Sequence, residues 1–239
     1  MRSMIPSYRR AFIVILLMGL MTLPAMSQVK FGLKWGLTIS EMLAGRQQTA
    51  TISSIPMSII NYPRTNINAG IFFDVPLAGK LHLQPELIYN NQGSVTKPAY
   101  NYAISATEEY KFNYLVLPIL FKWQLPRYFY AATGPKFGLL LDAKIDQSLI
   151  NKNTTYYVSK QYKPVDLGWT LAIGYLSPVN LGIDVRYNLG FSDINNSSAS
   201  AAASIPVQNG RLRNSGLQID IFFLFGKNRM PPSTPNSGY

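Results

Sequence analysis

Eight stretches of this chain alternate large apolar residues with small or polar ones, and that alternation limits what the chain can fold into. Residues 181–191, LGIDVRYNLGF, show it without a break. Successive side chains of a strand point to opposite sides. Leu181, Ile183, Val185, Tyr187, Leu189 and Phe191 therefore share one face, and Gly182, Asp184, Arg186, Asn188 and Gly190 share the other. This stretch predicts a strand over 179–191. The others are placed near 30–40, 65–76, 80–92, 109–124, 128–144, 164–176 and 214–226. The connections alternate in length. Leu77-Ala78-Gly79, Leu125-Pro126-Arg127 and Ser177-Pro178 mark tight turns, whereas 41–64, 93–108, 145–163 and 192–213 are long and polar. Short turns at one end and long loops at the other are the pattern of an up-and-down membrane barrel with both termini on the short-turn side. The expectation is an all-β chain forming an eight-stranded antiparallel up-and-down transmembrane β-barrel.

Alternation alone does not say which face is inside; the glycines do. Gly32, Gly36, Gly70, Gly134, Gly138, Gly168, Gly174, Gly182, Gly190, Gly216 and Gly226 all fall on the polar face. An eight-stranded interior is just wide enough for side chains, so long charged groups fit only beside small ones. Glycine on a water-exposed outer face would merely weaken the strands. The polar face is therefore read as the lumen and the aliphatic face as the lipid contact. The sheet must close, because hydrocarbon offers no partner to an unpaired backbone group. Phe73, Trp123, Phe129, Tyr175 and Phe225 near the turns, with Tyr89 and Phe191 near the loops, are expected to form two interfacial girdles.

The lumen so defined gathers Lys34, Lys122, Lys136, Lys144 and Arg186 with Asp74, Glu86, Asp142, Asp184 and Asp220. A salt-bridged filling of the barrel is the leading reading, since charges in low dielectric need partners; an ion or proton path is the alternative. His82 is the sole histidine, and no serine stands at the alternating position beside it. An envelope hydrolase is thus the least favoured function, and no catalytic residue is assigned. One histidine and no cysteine leave no transition-metal site, and no carboxylates have EF-hand spacing. No cofactor is expected. Pro85, Pro118 and Pro135 are expected to mark β-bulges.

The first residues resemble a secretory leader. Arg2, Arg9 and Arg10 precede an apolar run, Ala11–Leu23, that falls short of the about 20 residues of a membrane helix. Ala25 and Ser27 then suit a cut before Gln28. The expected organisation is a signal peptide over 1–27, a barrel over 28–226 and a Pro-rich periplasmic tail over 227–239. The formal charge is +11. In an exported protein, basic charge points to anionic glycolipid or polymer, and no nucleic-acid motif is present. Arg46, Arg64, Lys97, Lys152, Lys160, Arg211 and Arg213 lie in the long connections. The expected partners are outer-membrane lipid and lipopolysaccharide, with an envelope or secretion-system protein as a further candidate. Recognition is expected on 41–64, 145–163 and 192–213, because loops on a rigid scaffold are free to recognise.

Several motifs in order resemble the PorT-like small outer-membrane β-barrel proteins. They are FGLKWGL at 31–37, LQPELIY at 83–89, YLVLPILFK at 114–122, GPKFG at 134–138 and DVRYNLG at 184–190. The resemblance implies a barrel in a Gram-negative outer membrane and no single activity. It leaves three roles: a non-enzymatic structural or binding barrel acting through its loops, a narrow porin, or a component of a protein-secretion system. Two features depart from the family. Val116 stands where an acidic residue is common, and the chain continues past Phe225 instead of ending on the last strand.

Overall fold

The computed structural model describes residues 29–44, 49–52, 55–98, 107–149, 152–196 and 212–226. The expected signal peptide, its cleavage site and the Pro-rich tail lie outside the described residues. The strands are β1 (Lys30–Ala44), β2 (Thr49–Ile52), β3 (Ile55–Ala78), β4 (Leu81–Pro98), β5 (Thr107–Gln124), β6 (Phe129–Leu149), β7 (Lys152–Tyr157), β8 (Val165–Leu176), β9 (Leu181–Gly190) and β10 (Leu212–Phe225). Eight of them pair antiparallel in the order β1-β10-β9-β8-β6-β5-β4-β3, and β3 pairs again with β1 to close the ring. β2 extends β3, and β7 extends the upper half of β6. Closure gives the ring's backbone groups partners that hydrocarbon would deny them.

The faces follow the alternation. Arg186 is 1 % exposed while its neighbours Val185 and Tyr187 are 45 % and 44 % exposed. Leu, Ile, Val and aromatic side chains cover the outside, and the charged and amide side chains fill the inside. Glycines make room for rings as well as charges. Gly32, Gly174 and Gly182 sit directly across from Phe72, Tyr130 and Phe222 on the neighbouring strands. A Cβ at any of the three would overlap the facing ring. On the outside Phe31 lies between Phe73 and Phe225, at 5.6 and 5.7 Å, and Phe129 meets Tyr175 at 5.3 Å. These rings form the turn-side girdle.

The structure corrects two expectations. Asp142 and Lys144 do not join the lumen. Asn113 faces Asp142 but Tyr114 faces Leu140, which leaves Leu141 as an extra residue in β6. One inserted residue turns every later side chain to the opposite face. Ala143 and Ile145 therefore point inward and are buried. Asp142 and Lys144, each about a third exposed, pair with one another at 3.2 Å outside. Pro85, Pro118 and Pro135, in turn, do not mark the bulges. The register slips lie at Pro63/Asn68, Pro76/Ala78 and Asn113/Tyr114. At Pro85, Pro118 and Pro135 the pairing is interrupted and resumes in the same register. Proline removes only a donor, so each breaks the ladder without adding a residue.

The strands also outrun the apolar belt on the loop side. β3, β4 and β6 continue well into 41–64, 93–108 and 145–163, where the apolar pattern predicts loops, and β7 lies wholly within the last.

Candidate functional site

The lumen is filled in layers. At the turn end, Asp74 on β3 holds Lys122 on β5 at 2.8 Å and His82 Nδ1 on β4 at 2.6 Å. Gln124 Nε2 lies 2.7 Å from His82 Nε2. Above them Phe72 and Phe222 meet edge to face at 5.6 Å, and Tyr130 packs on Phe222 at 6.2 Å. Lys34 Nζ stands 5.3 and 5.7 Å from the two Phe rings, and Lys122 Nζ stands 4.9 Å from Tyr130. Cations over desolvated rings are stabilised by the ring quadrupole.

The central layer joins Lys34 (β1), Glu86 (β4), Asp184 and Arg186 (β9) and Asp220 (β10). Lys34 Nζ donates to Glu86 and Asp184, both at 3.1 Å, and lies 3.8 Å from Asp220. The Arg186 guanidinium forks to both other carboxylates. Nη1 and Nη2 reach Glu86 at 2.6 and 2.9 Å, and Nε and Nη2 reach Asp184 at 2.7 and 2.9 Å. Gln84 donates to Glu86, Tyr130 to Asp184 and Gln218 to Asp220. Ion pairs removed from water hold only when the remaining lone pairs are also satisfied; these neutral donors add to the ion pairs of Glu86 and Asp184, whereas Asp220 Oδ1 is buried without a hydrogen bond among the described residues. Asp184 and Asp220 nevertheless sit directly opposite each other across β9 and β10, with Lys34 and Arg186 bridging them.

Amides and hydroxyls fill the next layer. Asn68 donates to Thr38, Thr38 to Asn90, Thr170 to Asn188 and Asn188 to Gln218. Higher still, Lys136 pairs with Asp166 at 3.6 Å, and Ser192 and Asn214 donate to the same carboxylate. Asp166 is the lumen residue missing from the expected cluster. Its parity with Gly168 and Thr170 on β8 was the available signal.

At the loop end the polarity inverts. Tyr110, Phe112, Tyr114, Ile145, Val158, Tyr162, Ile194 and Leu212 form a buried apolar cluster inside the ring, joined by Val116 and Ile88. The turn at Ser159–Gln161 carries Val158 and Tyr162 inward, and Tyr162 stacks edge to face on Phe112 at 4.7 Å. Lys163 N donates to Ile194 O and Ile194 N to Leu212 O, which ties this segment into the wall. The outer face here is polar. Glu109 takes Arg64 at 2.5 Å and Lys111 at 3.0 Å, Lys111 also takes Asp146 at 2.7 Å, and Thr155 donates to Asp146. Lys97 and Lys144 lie over the exposed rings of Tyr62 and Tyr157. This end is built like a water-soluble sheet with its core inside.

Of the ten charged residues expected in the lumen, Lys34, Asp74, Glu86, Lys122, Lys136, Asp184, Arg186 and Asp220 lie there, in three separate layers; Asp142 and Lys144 do not. Among the described residues no group of three metal-ligating side chains is present. The hydrogen-bonding neighbours of His82 are Asp74 and Gln124.

A closed antiparallel ring, apolar outside and charged inside, is the build of a transmembrane β-barrel. The chain belongs to the outer membrane protein beta-barrel domain family, which matches residues 23–196, and it is an outer-membrane protein. No curated protein matches it. Among solved structures it is similar to Neisserial surface protein A, at 10 % identity and a TM-score of 0.43 over 82 % of this chain and 97 % of that one. It is similar also to Ail, the attachment invasion locus protein of Yersinia pestis, solved with the heparin analogue sucrose octasulfate, at 10 % identity and a TM-score of 0.42 over 82 % and 99 %. OprG from Pseudomonas aeruginosa gives 10 % identity and a TM-score of 0.38 over 81 % and 95 %.

Proposed function

We propose that the protein is a sealed, non-enzymatic barrel that works at the cell surface through its extracellular end. The observation that carries this reading is the polarity inversion above the belt. A barrel that only spans the bilayer needs strands of about 10 residues. Here β3 to β6 continue upward, bury a second core and present a polar outer wall. That end is a rigid platform, and rigid platforms position recognition loops. Exposed Lys97, Lys160, Lys163 and Arg213 suit the phosphates of lipopolysaccharide, which surrounds this wall in the outer leaflet. The recognition segments remain 41–64, 145–163 and 192–213, with one revision. Ile145, Val158, Tyr162 and Ile194 belong to the core, so 145–163 cannot be cut to a turn without opening the plug.

A pore is the weaker reading, because a water column would leave lumen side chains wet and these are buried. The motifs that resemble PorT-like barrels keep a place beside a secretion apparatus as the second reading. With a filled lumen, that place would be a docking subunit and not a conduit. The test combines two measurements. In planar bilayers the barrel should carry no stable current. Purified lipopolysaccharide should bind the wild type and bind Lys97→Ser/Lys160→Ser/Arg213→Ser at least tenfold more weakly, with the heat-induced gel shift unchanged. Steady single-channel currents would favour transport, and equal glycolipid binding by the two proteins would remove the platform's assigned ligand.

A further inference from the structure

The geometry points to the turn-side rim as a binding surface for anionic phospholipid headgroups. Every exposed charge among the described residues at this end is positive. Lys80 lies in the β3–β4 turn and Arg127 in the β5–β6 turn, both exposed and neither with an ion-pair partner among the described residues; Lys30 opens β1. The one carboxylate nearby among the described residues, Asp74, is buried, paired with Lys122 and in hydrogen-bond contact with His82 Nδ1. The loop end is different in carrying both signs of charge on its outer wall, where Arg64, Lys111 and Lys144 pair with Glu109, Asp146 and Asp142.

Three further observations place these cations at a lipid surface and not in open water. First, the turns that carry them also expose large apolar side chains. Leu77 is 37 % exposed beside Lys80, and Leu125 is 42 % exposed beside Arg127. A turn bathed only in water gains nothing from such residues, whereas one at the headgroup level buries them. Second, the aromatic girdle of Phe31, Phe73, Phe129 and Phe225 stands immediately above, and such rings mark the edge of the hydrocarbon. Third, Arg127 holds a φ of 58° and Tyr128 a φ of 68°. Paired positive φ values suit Asn-Gly, and other residues adopt them at a cost. The turn itself does not need the arginine, which leaves the guanidinium's contacts as its use.

The cations follow one arc of the ring, from β1 through the β3–β4 turn to the β5–β6 turn. The remaining turn, between β8 and β9, carries Asn180, whose amide donates to Gly226 O at 2.7 Å, and no charge. Short turns of an outer-membrane barrel face the periplasm, where the leaflet is phospholipid. The ligand class is the anionic glycerophosphate headgroup, as in phosphatidylglycerol, in preference to zwitterionic phosphatidylethanolamine.

Native mass spectrometry of the whole barrel, released from micelles with equal phosphatidylglycerol and phosphatidylethanolamine, reads this directly. The wild type should retain phosphatidylglycerol preferentially. Each cation near an anionic surface is worth about fivefold in binding, so Lys80→Gln/Arg127→Gln should lower the preference about 25-fold. Lys144→Gln at the loop end, where Lys144 pairs with Asp142, should leave it intact. Should the turn variant fail the gel-shift check for folding, a photo-crosslinking phosphatidylglycerol applied to the wild type serves instead, and it should label residues 76–81 and 125–129. Equal retention of the two lipids, a preference lost in the loop-end variant, or labelling confined to the loop end would each overturn the proposal.

Discussion

Replacing Arg186 by Leu should be far more damaging than replacing Asp220 by Asn, although both remove one charge from the same layer. Arg186 makes four charge-assisted hydrogen bonds, at 2.6 to 2.9 Å, to Glu86 and Asp184. Without it Lys34 alone faces three buried carboxylates, and removing one member of a buried pair costs about 3–5 kcal/mol. Asp220 lies farther from both cations, 3.4 Å from Arg186 and 3.8 Å from Lys34. It also stands directly opposite Asp184, where like charges repel. An amide at 220 removes that repulsion and keeps a group able to hydrogen-bond Gln218. The cost should be within about 1 kcal/mol of zero. Reversible folding into lipid vesicles in urea, followed by tryptophan emission, measures both. Trp35, Trp123 and Trp169 all face outward, so their emission reports insertion and is blind to the lumen itself. If Arg186→Leu unfolded within about 1 kcal/mol of the wild type, or if Asp220→Asn cost as much as Arg186→Leu, the central layer would not be the ion-pair network derived above.

Gly182→Ala should prevent formation of the compact, heat-modifiable species, because its Cβ would overlap the Phe222 ring, and Phe222→Leu in the same chain should restore it. Acid should loosen the extracellular wall before the membrane-embedded part. Burial works against the Glu109 carboxylate, but hydrogen bonds from Lys111 and Arg64 outweigh it and hold its pKa below the usual value. The hydrogen bond from Lys111, then that from Thr155, lowers Asp146 likewise. A carboxyl whose pKa is depressed by folding contributes stability above its unfolded pKa and loses it as pH falls through the folded value. Protease cuts in 107–111 and 144–157 should therefore rise below about pH 4 and stay constant from there to neutrality. The expected removal of residues 1–27 predicts a membrane-extracted chain that starts at Gln28; a mass that includes Met1–Ser27 would contradict it.

The eight ring strands and their faces were legible because lipid imposes one rule on every outward position at belt height. Leu33, Ile71, Leu117 and Ile183 obey it on four different strands, and the glycines gathered on the polar face tell inside from outside. What the pattern did not give were the partners. That Arg186 would fork between Asp184, two residues away, and Glu86, a hundred residues away, depends on how the ring closes, which no local period encodes. The three layers and the place of Asp166 in the uppermost are settled by height along the barrel axis, and alternation carries no height.

The outer end was misread for a more basic reason. Alternation is unchanged when its two faces are exchanged, so a strand passing from lipid into water keeps its period while its meaning reverses. In EEYKFNY, residues 108–114, Tyr110, Phe112 and Tyr114 occupy the same parity as Val116 and Lys122 below. They point into the ring, as those do. Large apolar residues on the lumen parity, with Glu109, Lys111 and Asn113 on the lipid parity, are impossible inside hydrocarbon and natural above it. The switch in β5 marks the membrane's outer boundary to within a residue or two, between Asn113 and Leu115. In β6 the same boundary falls at Leu141, where the extra residue turns Asp142 and Lys144 out. The bulge lets β6 carry consecutive apolar residues, Leu139, Leu140 and Leu141, through the boundary and still resume with Ala143 and Ile145 inside. A search for the height at which polarity exchanges faces would have located the second core from sequence, and with it the reason why 145–163 is part of the wall.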